Sequence, residues 1–238
     1  GKTLLCRKLL NELSTPFITA YIPNPHLTPA GLRMAIADEF GISYARNAGQ
    51  SKMLQQINQF LLNAAANQQQ PVLIIDEAQA MSLETLEALR LLSNLETEKQ
   101  KLLQIVLFGQ AELDEILQKK AIRQLRQRIS FSYTLKRLSR LDVSTYVSHR
   151  LSIAQLKIKH LFSPLSYYAL HFYSRGTPRL INILSHKALL SAYGSGVYKI
   201  GIKQVRLAAR DTEDTARRFH PLECRKGLLF LFAFSFSL

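Results

Sequence analysis

Cysteine is scarce in these 238 residues: only Cys6 and Cys224 occur, far apart, with no CxxC partner and no histidine at ligand spacing. A disulfide-stapled scaffold and a cysteine metal centre are therefore excluded, and a reducing compartment is expected. Acidic residues are also few, 17 against 31 lysines and arginines. The resulting net charge of +14 draws the chain toward polyanions, whether nucleotide phosphates, nucleic acid or an anionic membrane face. There is no internal repeat, no low-complexity linker and no signal peptide. The uncharged run at 227–238 has twelve residues, short of the roughly 20 that a helix needs to cross a bilayer. What remains is ordinary globular composition, 47% apolar and 20% charged, long enough for one or two domains with a substantial core.

The chain opens on Gly1-Lys2-Thr3, followed at once by a helical spacing of Leu4, Leu5, Leu9, Leu10 and Leu13. Gly-Lys-Thr opening an amphipathic helix is the last part of the phosphate-binding pattern GxxxxGK[ST]. The earlier glycine of that pattern and the strand before it are expected upstream of residue 1. Phe17 to Ile22 reads as a strand, Thr28-Pro29 caps a helix that stops at Gly41, and a further helix fits 51–66. The run Val72-Leu73-Ile74-Ile75 ends in Asp76-Glu77, the pattern of a strand buried on both faces. A helix from Ser82 to about Leu95, a second buried strand over 102–108 and an edge strand over 129–135 complete an alternating order. That order predicts an α/β parallel sheet. From Ser139 the pattern is helical only, over 140–154, 164–173, 178–193 and 203–217, which predicts an appended all-helical unit. The expected domains are 1–138, 139–216 and a basic, then apolar, tail at 217–238.

The chemistry follows from the sheet. Ligands of open α/β sheets sit at the carboxyl ends of strands, so Asp76 and Glu77 are expected to face a nucleotide on the phosphate loop. There the first-turn amides of the helix from Gly1, the Lys2 cation and the Thr3 hydroxyl are the phosphate and Mg2+ ligands. Asp76 is a second candidate for Mg2+, and Glu77 is suited to orient and deprotonate water. Gln110 leaves the second buried strand at the same edge, where it can reach the water or the terminal phosphate; its alternative is a turn residue. Arg123, Arg126 and Arg128 are candidates for delivery to a neighbouring subunit's nucleotide, with Arg126 and Arg128 the better placed; a solvated basic face is their alternative. Arg179, in the first turn after Gly176-Thr177-Pro178, can reach a terminal phosphate or serve merely as a surface residue.

With Gly-Lys-Thr, Leu-Ile-Ile-Asp-Glu-Ala-Gln, Leu-Phe-Gly-Gln, Leu-Arg-Gln-Arg-Ile and Gly-Thr-Pro-Arg-Leu-Ile-Asn in this order, the chain resembles the ExeA/GspA-type AAA+ ATPases of bacterial secretion and pilus systems. The resemblance covers about residues 1–215. It implies a P-loop α/β core with a helical lid, ATP hydrolysis with Mg2+, a homo-oligomer, pilus or secretion assembly proteins as partners, and work at the cytoplasmic face of the inner membrane. By the same resemblance Lys2 and Thr3 match the end of Walker A, Asp76 and Glu77 Walker B, Gln110 sensor 1, Arg126 or Arg128 the arginine finger, and Arg179 sensor 2. The chain departs from the pattern where the upstream half of the loop is concerned, and family members with a peptidoglycan-binding domain are expected to continue beyond the lid through a membrane span.

Two other readings compete. Residues 119–150 carry nine Lys or Arg against one Asp, which fits a DNA-associated ATPase of the transposition-helper kind contacting nucleic acid through its backbone. A nucleotide-binding scaffold that hardly hydrolyses is disfavoured by the presence of both Asp76 and Glu77. The tail, with Arg217-Arg218 and Arg225-Lys226 before its apolar run, fits the start of a membrane segment, an interfacial anchor or an altered reading frame. Cys6 is expected in the core, and His26, His149, His160, His171, His186 and His220 form no metal-ligand spacing.

Overall fold

A computed structural model describes residues 1–45, 49–96, 101–156 and 161–216. The expected tail at 217–238, with Cys224 and His220, and the residue His160 lie outside the described residues. Contacts divide the chain into two compact units, Gly1–Thr134 and Leu135–Leu238, each with a core of its own.

The first unit is built on three parallel strands, β1 (Phe17–Ile22), β2 (Gln70–Ile75) and β3 (Gln104–Leu107), in the order β1-β2-β3. Phe17 stands opposite Gln70, and Val72 opposite Gln104. The unbroken apolar run of β2 has a direct cause in its position between two layers. Val72 and Ile74 face helix α1 (Lys2–Glu12), packing with Cys6, Leu9, Leu10 and Leu13. Leu73 and Ile75 face the opposite layer, where α2 (Pro29–Glu39), α3 (Gln50–Ala66) and α4 (Leu83–Leu92) bring Leu32, Ile36, Ile57, Leu61, Leu86 and Leu89. A strand with period-two side chains and a helix layer on each side has no polar face to offer. The α/β parallel-sheet class read from the sequence is thus the observed one.

Local chemistry sets the helix ends. Thr28 Oγ1 accepts from Gly31 N at the start of α2, and the chain leaves that helix through Gly41 at φ +68°. Ser82 Oγ accepts from Thr85 N at the start of α4, with Glu84 in the first turn and Arg90 in the last.

Three expectations for this unit need correction. Helix α4 stops at Leu92 rather than Leu95, because Leu102 N donates to Leu95 O and an antiparallel bridge joins Glu96 to Lys101, drawing the chain out of the helix. The same pull leaves Leu102 and Leu103 buried but outside β3, which spans four residues and is only partly buried beyond them. No strand forms over 129–135. The alternation of Ile129, Phe131, Tyr133 and Leu135 is present, yet all four are exposed, Phe131 at 94% and Tyr133 at 83%. An apolar alternation makes a strand only where a sheet edge and a covering layer receive it, and among the described residues the sheet ends at β3. Two short helices, α5 (Ala111–Leu117) and α6 (Arg123–Gln127), precede that segment.

Among the described residues the second unit is built of helices joined by loops, with a single bridge between Phe162 and Ile200. Helix α7 (Arg140–Ile153) starts on a reciprocal capping box, Asp142 N donating to Ser139 Oγ and Ser139 N to Asp142 Oδ2. Helices α8 (Pro164–Ser174), α9 (Pro178–Gly194) and α10 (Ile202–Arg210) close on a core of Val143, Val147, Leu170, Ile181, Leu184 and Val205. The expected helix over 203–217 is two helices, α10 and α11 (Glu213–Ala216). Thr212 Oγ1 donates to Ala208 O and Thr215 Oγ1 to Ala209 O, so side chains take the carbonyls that the next turn of helix would need. Among the described residues no helix is long and apolar enough to cross a membrane.

Gly176, between α8 and α9, has a backbone reason to be glycine. Its φ is +71°, its carbonyl accepts from Leu138 N at 2.9 Å, and a Cβ there would lie 2.1 Å from Leu138 O. We expect Gly176→Ala to lower stability by about 2–4 kcal/mol, from strain and the forced retreat of Leu138. Urea unfolding of the variant beside the parent checks this; coincident midpoints would contradict it.

Candidate functional site

The carboxyl ends of β2 and β3 and the amino end of α1 supply the candidate site. Main-chain bonds carry the strand order right up to it: Asp76 N donates to Ile22 O, Phe108 N to Ile75 O and Ala78 N to Phe108 O. Immediately after the last strand residue the chain turns. Glu77 adopts φ 52°, ψ 38°, the left-handed region, and leads into a single 3-10 turn, Ala78–Ala80. For a residue with a side chain that conformation costs roughly 1–2 kcal/mol. Part of the cost is offset where Glu77 N donates to Asp76 Oδ1 at 2.9 Å. The turn lifts the Glu77 side chain off the sheet edge while Asp76 stays buried at 3% exposure.

A closed set of hydrogen bonds holds the Glu77 carboxylate. Gln79 Nε2 donates to Glu77 Oε2 at 2.5 Å, and Gln110 Nε2 donates to the same oxygen at 3.0 Å. Gln110 N donates to Gln79 Oε1 at 3.0 Å. Because a backbone N–H can only donate, Gln79 must turn its oxygen toward Gln110 and its NH2 toward Glu77. The bonds from Gln110, then from Gln79, and the positive charge of Lys2 hold the Glu77 carboxyl below the usual glutamate range, against desolvation that pushes it up. Glu77 is therefore a carboxylate at neutral pH, with Lys2 close enough to act on it.

Of the residues singled out in the sequence, the structure brings together Lys2, Asp76, Glu77 and Gln110. Gly1 is the N-cap of α1 and uses no side-chain cap, and Thr3 is exposed in the first turn of that helix. Gln110 is exposed, begins α5 as its N-cap, and spends its side chain on Glu77. Arg126 is exposed on α6, whereas the Arg128 guanidinium donates from one of its NH2 groups to Ser93 O at 3.2 Å. Arg123 is exposed at the start of α6. Among the described residues no hydrogen bond or ion pair links these arginines to Asp76 or Glu77. Arg179 is exposed on the first turn of α9, in the second unit. Cys6 is buried on the sheet-facing side of α1; burial, and next the charge of Asp76, push its thiol up, which makes it a packing residue rather than a nucleophile.

Two oxygen donors of the kind a hard divalent cation takes stand on these elements. Asp76 supplies one buried carboxylate and Thr3 one hydroxyl, and Mg2+ is ordinarily held by one or two protein oxygens, with substrate phosphates and waters completing its shell. The residue that sequence reasoning passed over is Gln79. It stands in the Asp-Glu-Ala-Gln string, two positions beyond Glu77, but nothing in that spacing shows that the left-handed turn folds it back onto the carboxylate.

Residues 1–117 match the family model described as an AAA domain. The General secretion pathway protein A of Aeromonas hydrophila is 44% identical over 209 residues, 88% of this chain and 38% of that protein. This chain thus spans about two fifths of the length of that curated relative. Among solved structures, the Cdc6p protein of Pyrobaculum aerophilum superposes with a TM-score of 0.65 at 17% identity, covering 89% of this chain and 57% of that one. The ORC2 protein of Aeropyrum pernix, in its ADPNP-ADP complexes, gives 0.62 at 18%, covering 87% and 57%. At such identities these two speak for the fold alone.

The lowered Glu77 carboxyl has a consequence for acid stability. A carboxyl whose folded value lies below its unfolded value contributes stability above the unfolded value, 4.5 here, and loses it as pH falls through the folded one. Gln110→Ala removes the largest cause of the shift. The stability gap between parent and variant should therefore be full at about pH 7 and shrink by about pH 3. Urea midpoints at both pH values measure it; an equal gap at both would contradict the assignment.

Proposed function

We propose that this chain is the nucleotide-hydrolysing part of an ExeA/GspA-type AAA+ ATPase, which binds ATP with Mg2+ and supports assembly of a type II secretion or type IV pilus machine at the cytoplasmic face of the inner membrane. The observation that carries the hydrolytic reading is the Glu77 carboxylate, displaced from the end of a doubly buried strand by a left-handed turn and kept ionised by the bonds from Gln110 and Gln79. The relative named for general secretion supports the choice of machine.

The residues divide the work. Lys2 and the first-turn amides of α1, from Gly1 onward, bind the outer phosphates. Thr3 and Asp76 would hold Mg2+, which would supply neutralising charge for the phosphates. Glu77 aligns the attacking water and takes its proton at Oε1, the oxygen without a described hydrogen bond. Gln110 reaches from the end of β3 toward the same water and the terminal phosphate. Arg126, exposed and uncommitted to Glu77 or Asp76, is the better arginine finger for a neighbouring subunit's nucleotide, because Arg128 is already engaged by Ser93 O. Arg179 of the helical unit is the candidate sensor of the terminal phosphate. The domain assignment is 1–138 for the nucleotide-binding core, 139–216 for the lid and 217–238 for the tail.

The reading as a DNA-associated ATPase rests on one observation, the nine basic residues against one acid over 119–150. It requires binding that weakens steeply with salt.

Two variants test the leading reading in a chain that carries the whole GxxxxGK[ST] loop. Glu77→Gln should bind ATP and retain it, with turnover at least about 100-fold below the parent; unchanged turnover would remove Glu77 from the mechanism. Arg126→Ala should also be nearly inactive. Mixing its subunits with Glu77→Gln subunits should restore part of the activity, since a site that takes its finger from a neighbour then finds both intact groups. A mixture no better than either variant alone would place Arg126 outside the site.

A further inference from the structure

Gln110 has two duties that compete. Its side chain holds Glu77, yet the proposed mechanism asks that same amide to reach for the terminal phosphate and the water. When it turns away, one of the two donors on Glu77 Oε2 is lost. The other donor, Gln79, does not depend on the Gln110 side chain. Its amide is fixed by the backbone N–H of Gln110, which stays in place as the N-cap position of α5 whatever the side chain does. Flipping the Gln79 amide would set its NH2 against that N–H and its oxygen against a carboxylate, two repulsions in place of two bonds. Gln79 is thus locked from one side and donates from the other, at 2.5 Å, to an ionised acceptor, the stronger class of hydrogen bond.

We propose that Gln79 is a positioning residue: it keeps Glu77 Oε2 anchored while Gln110 changes partner, so that Oε1 remains aimed at the attacking water. The proposal rests on Glu77 acting as the base in ATP hydrolysis. The anchor is mechanical as well as electrostatic. It ties the turn after β2 to the start of α5, so a shift of the β3–α5 connection moves the carboxylate with it. The left-handed turn at Glu77 is what permits the contact, because it folds residue 79 back over residue 77.

Gln79→Met keeps the length of the side chain and removes both hydrogen bonds. Two readouts are needed, both in a chain carrying the whole phosphate loop. The first is a 13C NMR titration of the Glu77 carboxyl in the nucleotide-free protein, assigned by difference from Glu77→Gln. It should move upward in Gln79→Met, toward ordinary glutamate. The second is steady-state ATP hydrolysis: kcat should fall roughly 10- to 100-fold, from misaim of a positioned group, with KM for ATP within about twofold of the parent. Gln79→Glu, which replaces the donor by a second carboxylate, should raise the Glu77 titration as well, and serves if the methionine variant folds poorly. An unchanged Glu77 titration in these variants overturns the anchor, and so does a loss that appears in KM with kcat preserved. If the parent itself hydrolyses no ATP, the reading of Glu77 as a base fails, while the titration still decides whether Gln79 holds the carboxylate.

Discussion

The structure turns on a strand that must be buried on both faces and must end in two acids. Burying β2 between α1 and the α2–α4 layer requires an apolar residue at every position from Val72 to Ile75. A carboxylate is costly there unless it is hydrogen-bonded, so Asp76 and Glu77 close the apolar run. Asp76 remains buried and gives Oδ1 to the Glu77 amide; Glu77 escapes through a left-handed turn. Everything in the candidate site follows from that turn: the carboxylate projects from the sheet edge, Gln79 folds back to meet it, and Gln110 arrives from the adjacent strand end because β3 is paired in register with β2.

Much of this was legible in the sequence, for physical reasons. A run of four apolar residues closed by two acids has few other places to go in an alternating α/β order, and Gly-Lys-Thr at a helix start is a strong local signal once such a strand follows it. Thr28 and Ser82 marked the helix starts at Pro29 and Leu83, since a side-chain oxygen before the first turn is a local interaction that needs no tertiary help. The failures were non-local in the first unit and local in the second. The alternation at 129–135 depended on a partner edge that the pattern itself cannot supply, the last turn of α4 was lost to the Leu95–Leu102 bond, and α10 ended where threonine hydroxyls competed for its carbonyls.

Within the site the same division holds. Residue types announced Lys2, Asp76, Glu77 and Gln110, because cations, paired acids and a polar residue after a buried strand are unusual where they stand. Gln79 did not announce itself, since its role depends on a backbone dihedral two residues earlier and on an amide contributed by the neighbouring strand end. The arginines were separated by one hydrogen bond: the carbonyl of Ser93 engages Arg128 and leaves Arg126 as the exposed member of the pair.

The central claim is that this sheet edge hydrolyses ATP in the service of a membrane-associated assembly machine rather than on DNA. It is tested most directly by steady-state ATP turnover of a chain carrying the whole phosphate loop, with and without duplex DNA at one fixed salt concentration. The account predicts turnover that requires Mg2+ and is indifferent to DNA. Hydrolysis that appears only with DNA would contradict the assembly reading, and no hydrolysis under either condition would contradict the claim itself.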